Sequence, residues 1–373
     1  MLIQFYVSSH GYGHTTRVAQ VCKSLLALDA QLEINIVTRH PAQQLFFPSD
    51  RLTFYDLDVD SGIVQSNAYT IDRDASWRAL DAFVQSAAGS GSRRPHLEQL
   101  AKSSPDLIIS DAVCPFPWED YRDKPKVLLS NFSFDGIFQG LLVHGETARC
   151  DLVDRLKKTY ARGIDLVLRL PGYIDMPFVQ ENGIACQDVP LVYRTPSGKS
   201  RNEVLDDLII PVDERNKQIL YVQFGGHLNG NSDHLPQLPE DWICLSSVDA
   251  WSTLEHFYHV PSTYYTPDIV NVASLVLGKL GYGTVSECVG LGTPLLMVER
   301  ALFAEEAGLK SFMKQHGQLA EMSAFDYEEG KWSLPISRME QKGQLVPGTT
   351  VPDGSMQVAR RLLELAGDSL SSI

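Results

Sequence analysis

Long hydrophobic runs are missing from this chain of 373 residues. No apolar stretch comes near the roughly 20 residues that a bilayer-spanning helix needs, so no integral membrane segment is expected. An excess of positive charge is missing as well. With 32 Lys and Arg against 46 Asp and Glu, the formal net charge is −14 at pH 7. Nucleic acid and anionic membrane surfaces are therefore not expected partners, and an anionic substrate has to be held by local groups. Cysteine is sparse: Cys22, Cys114, Cys150, Cys186, Cys244 and Cys288 lack paired ligand spacing, which points to reduced thiols rather than a disulfide framework or a zinc site. The opening MLIQFYV has no basic leader region and no C-terminal anchor is read, so a cytoplasmic location is expected. Low-complexity segments and short repeats are also lacking.

What is present is a soluble globular composition, 44% hydrophobic and 21% charged, in a chain long enough for two cores. Short apolar runs alternate with helical patterns: MLIQFYV (1–7), LEINIVT (32–38), DLIISDA (106–112), KVLLSNF (126–132) and DLVLRL (165–170). That alternation predicts a doubly wound, mostly parallel sheet. Between Pro171 and Pro211 the pattern turns irregular, and RTPSGKSRNE (194–203) reads as a linker or exposed crossing segment. A second series starts at QILYVQFGGH (218–227), continues through DWICLSS (241–247) and reaches SLVLGKLGYGTVSECVGLGTPLLMVER (274–300). Two α/β domains, 1–200 and 211–350, are expected, followed by a helical tail at 353–373 with Asp353 as its acidic cap.

Both series place glycine loops at strand ends, where parallel sheets bind ligands. In SSHGYGHTTR (8–17) the loop joins the first strand to a helix expected from Thr15 to Leu28, with Val18, Val21, Cys22, Leu25, Leu26 and Leu28 at helical spacing. Gly11 and Gly13 let this turn fold tightly, and His10 is read as a residue that shapes it. The dinucleotide fingerprint is incomplete, because Thr16 stands at the third glycine position and the next strand ends in Thr38 and Arg39. Asp111 ends a parallel strand on the same rim. It either caps the turn that follows or accepts from one imidazole nitrogen of His14, leaving the other free to take a proton from a hydroxyl.

In KLGYGTVSE (279–287), Gly281 and Gly283 permit close ligand approach, Thr284 and the helix amino terminus offer donors to a phosphate, and Lys279 adds a point charge. Glu287, one turn on, either reaches a ribose diol or complements the helix dipole. Gly225 and Gly226 in FGGH (224–227) supply a further loop. DLDVD (56–60) contains Asp-x-Asp but reads as a polar strand end rather than a metal site. Trp77, Phe83, Phe116, Trp118, Phe132, Phe134 and Phe138 line an acceptor cleft or fill the core.

Taken together, HGYGHTTR (10–17), SDAVCPF (110–116), LSNFSFDGIF (129–138), GKLGYGTVSE (278–287), PLLMVER (294–300) and LFAEE (302–306) resemble the GT-B glycosyltransferases that use nucleotide sugars. The resemblance is closest to the glycosyltransferase-like N-terminal region of L-arabinokinases. It implies a GT-B architecture: two Rossmann-like, doubly wound parallel-sheet domains facing a cleft, the first on the acceptor side and the second holding the nucleotide sugar. It also implies His14 as the base that deprotonates the acceptor hydroxyl and Asp111 as its carboxylate partner. Gly281, Tyr282, Gly283 and Thr284 fall on the donor loop, Glu287 at the ribose, and Glu305 and Glu306 at the donor sugar. Lys279 stands where many members carry histidine near the diphosphate, and Gly283 replaces a frequent asparagine.

The kinase portion of L-arabinokinase, with its serine-rich phosphate loop, has no counterpart here. Phosphorylation of arabinose by this chain alone is not expected. The expected activity is an inverting, metal-independent transfer of a sugar from a nucleoside diphosphate donor, with UDP the favoured nucleotide, to the hydroxyl of a small molecule or glycan. No cofactor is implied beyond the nucleotide-sugar co-substrate. The alternatives are a regulatory module that binds a sugar nucleotide without turnover, and a sugar-nucleotide epimerase of the same fold.

Overall fold

The computed structural model describes residues 1–9, 11–67, 70–89, 100, 102–113, 123–224 and 234–370. The first sheet is built from β1 (Leu2–Val7), β2 (Glu33–Thr38), β3 (Leu52–Asp56), β6 (Leu107–Asp111), β7 (Lys126–Ser130), β8 (Leu166–Arg169) and β9 (Ala185–Asp188). Between β3 and β6 the short strands β4 (Gln65–Asn67) and β5 (Thr70–Ile71) pair as an antiparallel hairpin. The seven strands run in the order β3-β2-β1-β6-β7-β8-β9, and every ladder is parallel. A second parallel sheet, ordered β12-β11-β10-β13-β14-β15, contains β10 (Gln218–Gln223), β11 (Trp242–Ser246), β12 (Phe257–His259), β13 (Leu275–Gly278), β14 (Leu295–Val298) and β15 (Leu319–Met322).

Burial on both faces explains the continuous apolar runs of the central strands. In β1, Ile3, Phe5 and Val7 pack with Val18, Val21, Cys22 and Leu25 of the helix Tyr12–Leu28. Tyr6 points to the opposite layer, with Trp77, Phe134 and Phe138. The second sheet repeats this arrangement, Leu220 and Val222 packing with Trp242, Leu277 and Trp332 on one of its faces.

Two differences from the sequence reading matter for the site. The first helix begins at Tyr12, three residues before the expected start, because Gly11 at φ 83° turns the chain directly into it. His14 thus lies in the first helical turn and not in an extended loop. The polar segment 194–203 is anchored rather than loose: Arg194 pairs with Glu287, Asp268 accepts from the Ser197 amide at 2.6 Å, and Ser200 and Glu203 form a capping box that opens the helix Arg201–Asp207.

The C-terminal helix Ser355–Leu370 returns to the first domain. Its Val358, Ala359, Leu362 and Ala366 join the core of the helix Tyr12–Leu28, and the hydroxyls of Ser24 and Ser355 meet at 2.8 Å. Asp353 lies two residues before this helix, where it accepts from the Ser355 amide at 3.2 Å and from Gln20 at 3.0 Å. Among the described residues no helix is long and apolar enough to cross a membrane, and Cys22, Cys150, Cys186, Cys244 and Cys288 are free thiols.

Candidate active site

Parallel pairing sets Val7 opposite Asp111, so the carboxylate stands beside the point where β1 hands over to the first helix. His14 Nδ1 lies 2.8 Å from Asp111 Oδ1. Arg17, one helical turn further and on the same face, clamps that carboxylate from the other side, Nε donating to Oδ2 at 2.6 Å and Nη2 to Oδ1. The guanidinium also donates to Asn131 Oδ1 at 2.5 Å and Ser130 Oγ at 3.0 Å. Asp111 and Arg17 are fully enclosed, and His14 is nearly so. Burial alone would raise the Asp111 carboxyl, but the charges of Arg17 and His14 outweigh it and hold Asp111 below the usual carboxylate range. His14 Nδ1 lies between Asp111 Oδ1, which can only accept when ionised, and Arg17 Nη2 at 3.0 Å, which can only donate, so the ring's tautomer decides which of the two it bonds.

The second wall is the helix Tyr282–Leu291, which starts directly after Gly281. It abuts the first helix: a Cβ on Gly13 would lie 3.3 Å from the Gly283 amide nitrogen, and one on Gly283 would lie 3.5 Å from Gly13 Cα. Two glycines thus let the two helix amino ends approach backbone to backbone. Beside them the Arg17 guanidinium lies 4.6 Å from the centroid of the Tyr282 ring. Thr284, in the same first turn, is buried. Lys279 is pushed down to about 7 by burial and by the neighbouring Arg300, against the pull of Glu305 and Glu306. Arg300 is itself paired with Glu306 and donates to the Leu280 carbonyl at 2.7 Å.

Glu305 accepts from Asn131 Nδ2 at 3.0 Å, which carries the network of Arg17 across to the second domain. Glu287 is 1% exposed, and its Oε1 takes the Arg194 guanidinium at 2.7 Å. Its Oε2 is buried without a partner.

The structure therefore brings His14, Asp111, Gly13, Tyr282, Gly283 and Glu305 into one connected arrangement. Glu306 is turned to Arg300 instead, and Glu287 sits one step away on Arg194. His10, Gly225 and Gly226, together with Phe116 and Trp118, lie outside the described residues. Trp77, Phe83, Phe132, Phe134 and Phe138 are buried and so belong to the core. Phe132 reaches the histidine, edge to face at 5.3 Å. Among the described residues no group of His, Cys, Asp and Glu is placed to hold a metal ion. A cavity of about 650 Å³ is lined by Asn67 and Thr70 from the hairpin and by Arg300, Glu306 and Lys310.

Arg17, Asn131, Arg194 and Arg300 were not singled out by the motifs. Arg17 carried a usable signal, its i, i+3 spacing from His14 on an apolar helix. Arg194 carried none, since it sits in a stretch whose composition is that of a linker.

No family model matches the sequence. It is 32% identical over 349 residues to L-arabinokinase of Arabidopsis thaliana, a match that takes in 91% of this chain and 32% of that protein. The chain thus spans about a third of the length of the curated relative it matches. In three dimensions it is similar to the calicheamicin glycosyltransferase CalG4, with 18% identity, a TM-score of 0.55 and coverage of 100% of this chain and 94% of the other. It is also similar to UGT89C1 of Arabidopsis thaliana, with 12% identity, a TM-score of 0.58 and coverage of 100% and 98%. A third similar structure is UGT2 of Phytolacca americana complexed with UDP-2fluoro-glucose and pterostilbene, with 14% identity, a TM-score of 0.58 and coverage of 99% and 94%. The chain has the GT-B fold of the glycosyltransferases, as its motifs led one to expect.

Proposed function

We propose that this chain transfers a glycosyl group from a nucleoside diphosphate sugar, with UDP the favoured nucleotide, to an acceptor hydroxyl, with inversion and without a metal. The observation that carries the reading is the buried His14, Asp111 and Arg17 assembly, set against the amino end of the helix Tyr282–Leu291 on a GT-B fold. His14 Nε2 takes the proton of the attacking hydroxyl while Asp111 fixes the imidazole through Nδ1. Amides at the start of the second helix, Thr284 and Lys279 stabilise the departing diphosphate, charge that would otherwise call for a cation. The ribose hydroxyls would supply the donor that the buried Oε2 of Glu287 lacks.

Removing His14 tests this directly. His14→Ala is expected to lower product formation from a UDP-sugar by about a hundredfold to ten-thousandfold while UDP affinity measured by calorimetry stays nearly intact. Turnover at the parent rate would sink the mechanism. One observation favours a second reading, a binding module without turnover: Glu287 and Glu306 are already paired with arginines and Glu305 with Asn131. A parent protein that binds UDP-sugars yet transfers to no acceptor, and hydrolyses none, would decide for it.

A further inference from the structure

Asp60 is a second buried carboxylate at the handover from β1 to the histidine's helix, and the mechanism above does not use it. It follows β3 in DLDVD, where Asp58 is exposed and lies 3.6 Å from Arg39 while Asp60 is only 6% exposed. It accepts from the Ser8 hydroxyl, at the end of β1, and from the Gly62 amide, and it feels the charge of His14. Its Oδ2 is buried with no hydrogen-bond partner. Ser8 also donates its amide to the Asp111 carbonyl at 3.4 Å. The handover from β1 to the first helix is therefore flanked by two acids, Asp111 paired with Arg17 and Asp60 bonded to Ser8 and Gly62 with His14 as the charge that favours its ionised form. A buried carboxylate oxygen left without a donor costs free energy, a cost that a hydroxyl brought to it would remove.

We propose that Asp60 holds a hydroxyl of the acceptor next to the one that His14 deprotonates, so that the acceptor is a polyhydroxylated molecule, a sugar or a cyclic polyol, rather than a simple phenol. This rests on the glycosyl-transfer reading and specifies its acceptor. A phenol with a single hydroxyl can serve His14 but leaves Oδ2 empty, whereas a diol satisfies both groups at once. The ordinary value of the Asp60 carboxyl is raised to about 6, mainly by burial, so that both protonation states lie within reach near neutral pH. A hydroxyl can both donate and accept, and therefore meets either state.

The experiment saturates the protein with UDP and follows binding of a panel by saturation-transfer NMR. The panel holds pentoses, hexoses and myo-inositol, with 4-methoxyphenol as the single-hydroxyl probe. At least one sugar or polyol should bind the parent, and Asp60→Asn should weaken it by about tenfold to a hundredfold with UDP affinity unchanged within about twofold. Asp60→Ser, smaller and also without the charge, serves as a second variant should the first fail to fold. Binding of 4-methoxyphenol alone, binding of no panel member, or a sugar affinity indifferent to both variants would overturn the assignment. If UDP itself does not bind, the glycosyl-transfer reading falls. If UDP binds and the polyol results fail, only the acceptor assignment falls.

Discussion

Arg17 and His14 share the carboxylate of Asp111, and Arg17 is the cation that lets this acid stay ionised while fully buried. Arg17→Gln leaves the carboxylate enclosed without that cation, and denaturant midpoints should show a loss of about 3–5 kcal/mol. An unchanged midpoint would mean that the pair carries no stability. Lys279 gives a complementary test. Its value near 7 in the free protein rises when a diphosphate arrives, so UDP binding at pH 8 should take up a proton and UDP affinity should fall as pH rises above 7. Calorimetry in buffers of different ionisation enthalpy measures the uptake, which Lys279→Met should abolish. For Asp60 the sign runs through stability: its folded value lies above the unfolded one, so stability present below about pH 4 is lost as pH rises to about 6, on the order of 3 kcal/mol. Urea denaturation should accordingly show Asp60→Asn gaining on the parent between pH 4 and pH 7, and a difference constant across that range would refute the account. His14 and Asp111 were legible because glycine punctuation and strand ends locate them. Asp60 was passed over because an Asp-x-Asp after a strand looks like a solvated end, and only burial sets it apart from Asp56 and Asp58.

At the level of elements, the glycines of both motif loops do less as loops than as helix starts. The sequence suggested extended turns because Gly-Tyr-Gly is a poor helix former, yet both helices begin at the tyrosine, Tyr12 and Tyr282. Gly13 and Gly283 are instead the points where two helix ends touch. A similar contact seats the helix Glu305–His316 on the first domain, where a Cβ on Gly308 would meet the Tyr173 carbonyl at 2.2 Å. Gly308→Ala should therefore push this helix outward and draw Glu305 away from Asn131. Denaturant midpoints should show a loss of about 1–3 kcal/mol, and an unchanged midpoint would mean that the contact relaxes without cost. The central strands were readable as apolar runs. The edge strand β9 was not, since all four residues of Ala185–Asp188 are exposed and edge strands are commonly polar. β12, at the opposite edge of the second sheet, is only three residues long and escaped for that reason.

For the whole molecule, composition and alternation were enough to anticipate two parallel sheets, but not how the chain passes between them. The outgoing crossing and the returning one run side by side: the Gly354 amide donates to the Leu191 carbonyl at 2.7 Å, the Tyr193 amide to Asp353 at 3.2 Å, and the Tyr193 hydroxyl to the Val351 carbonyl at 3.0 Å. No spacing rule in a sequence announces a pairing across about 160 residues. Asp353→Ala removes the acceptor for Tyr193, Gln20 and Ser355 together, and thermal unfolding should register a loss of about 1–3 kcal/mol; an unchanged midpoint would show that the knot carries no stability. The paired crossings also have a mechanical meaning. A protein joined by one strand of chain can swivel as well as bend, whereas here both connections leave the first domain along a common line and are bonded to each other on the way. A twist of one sheet against the other would shear those bonds, so the paired crossings act as a clasp that resists it.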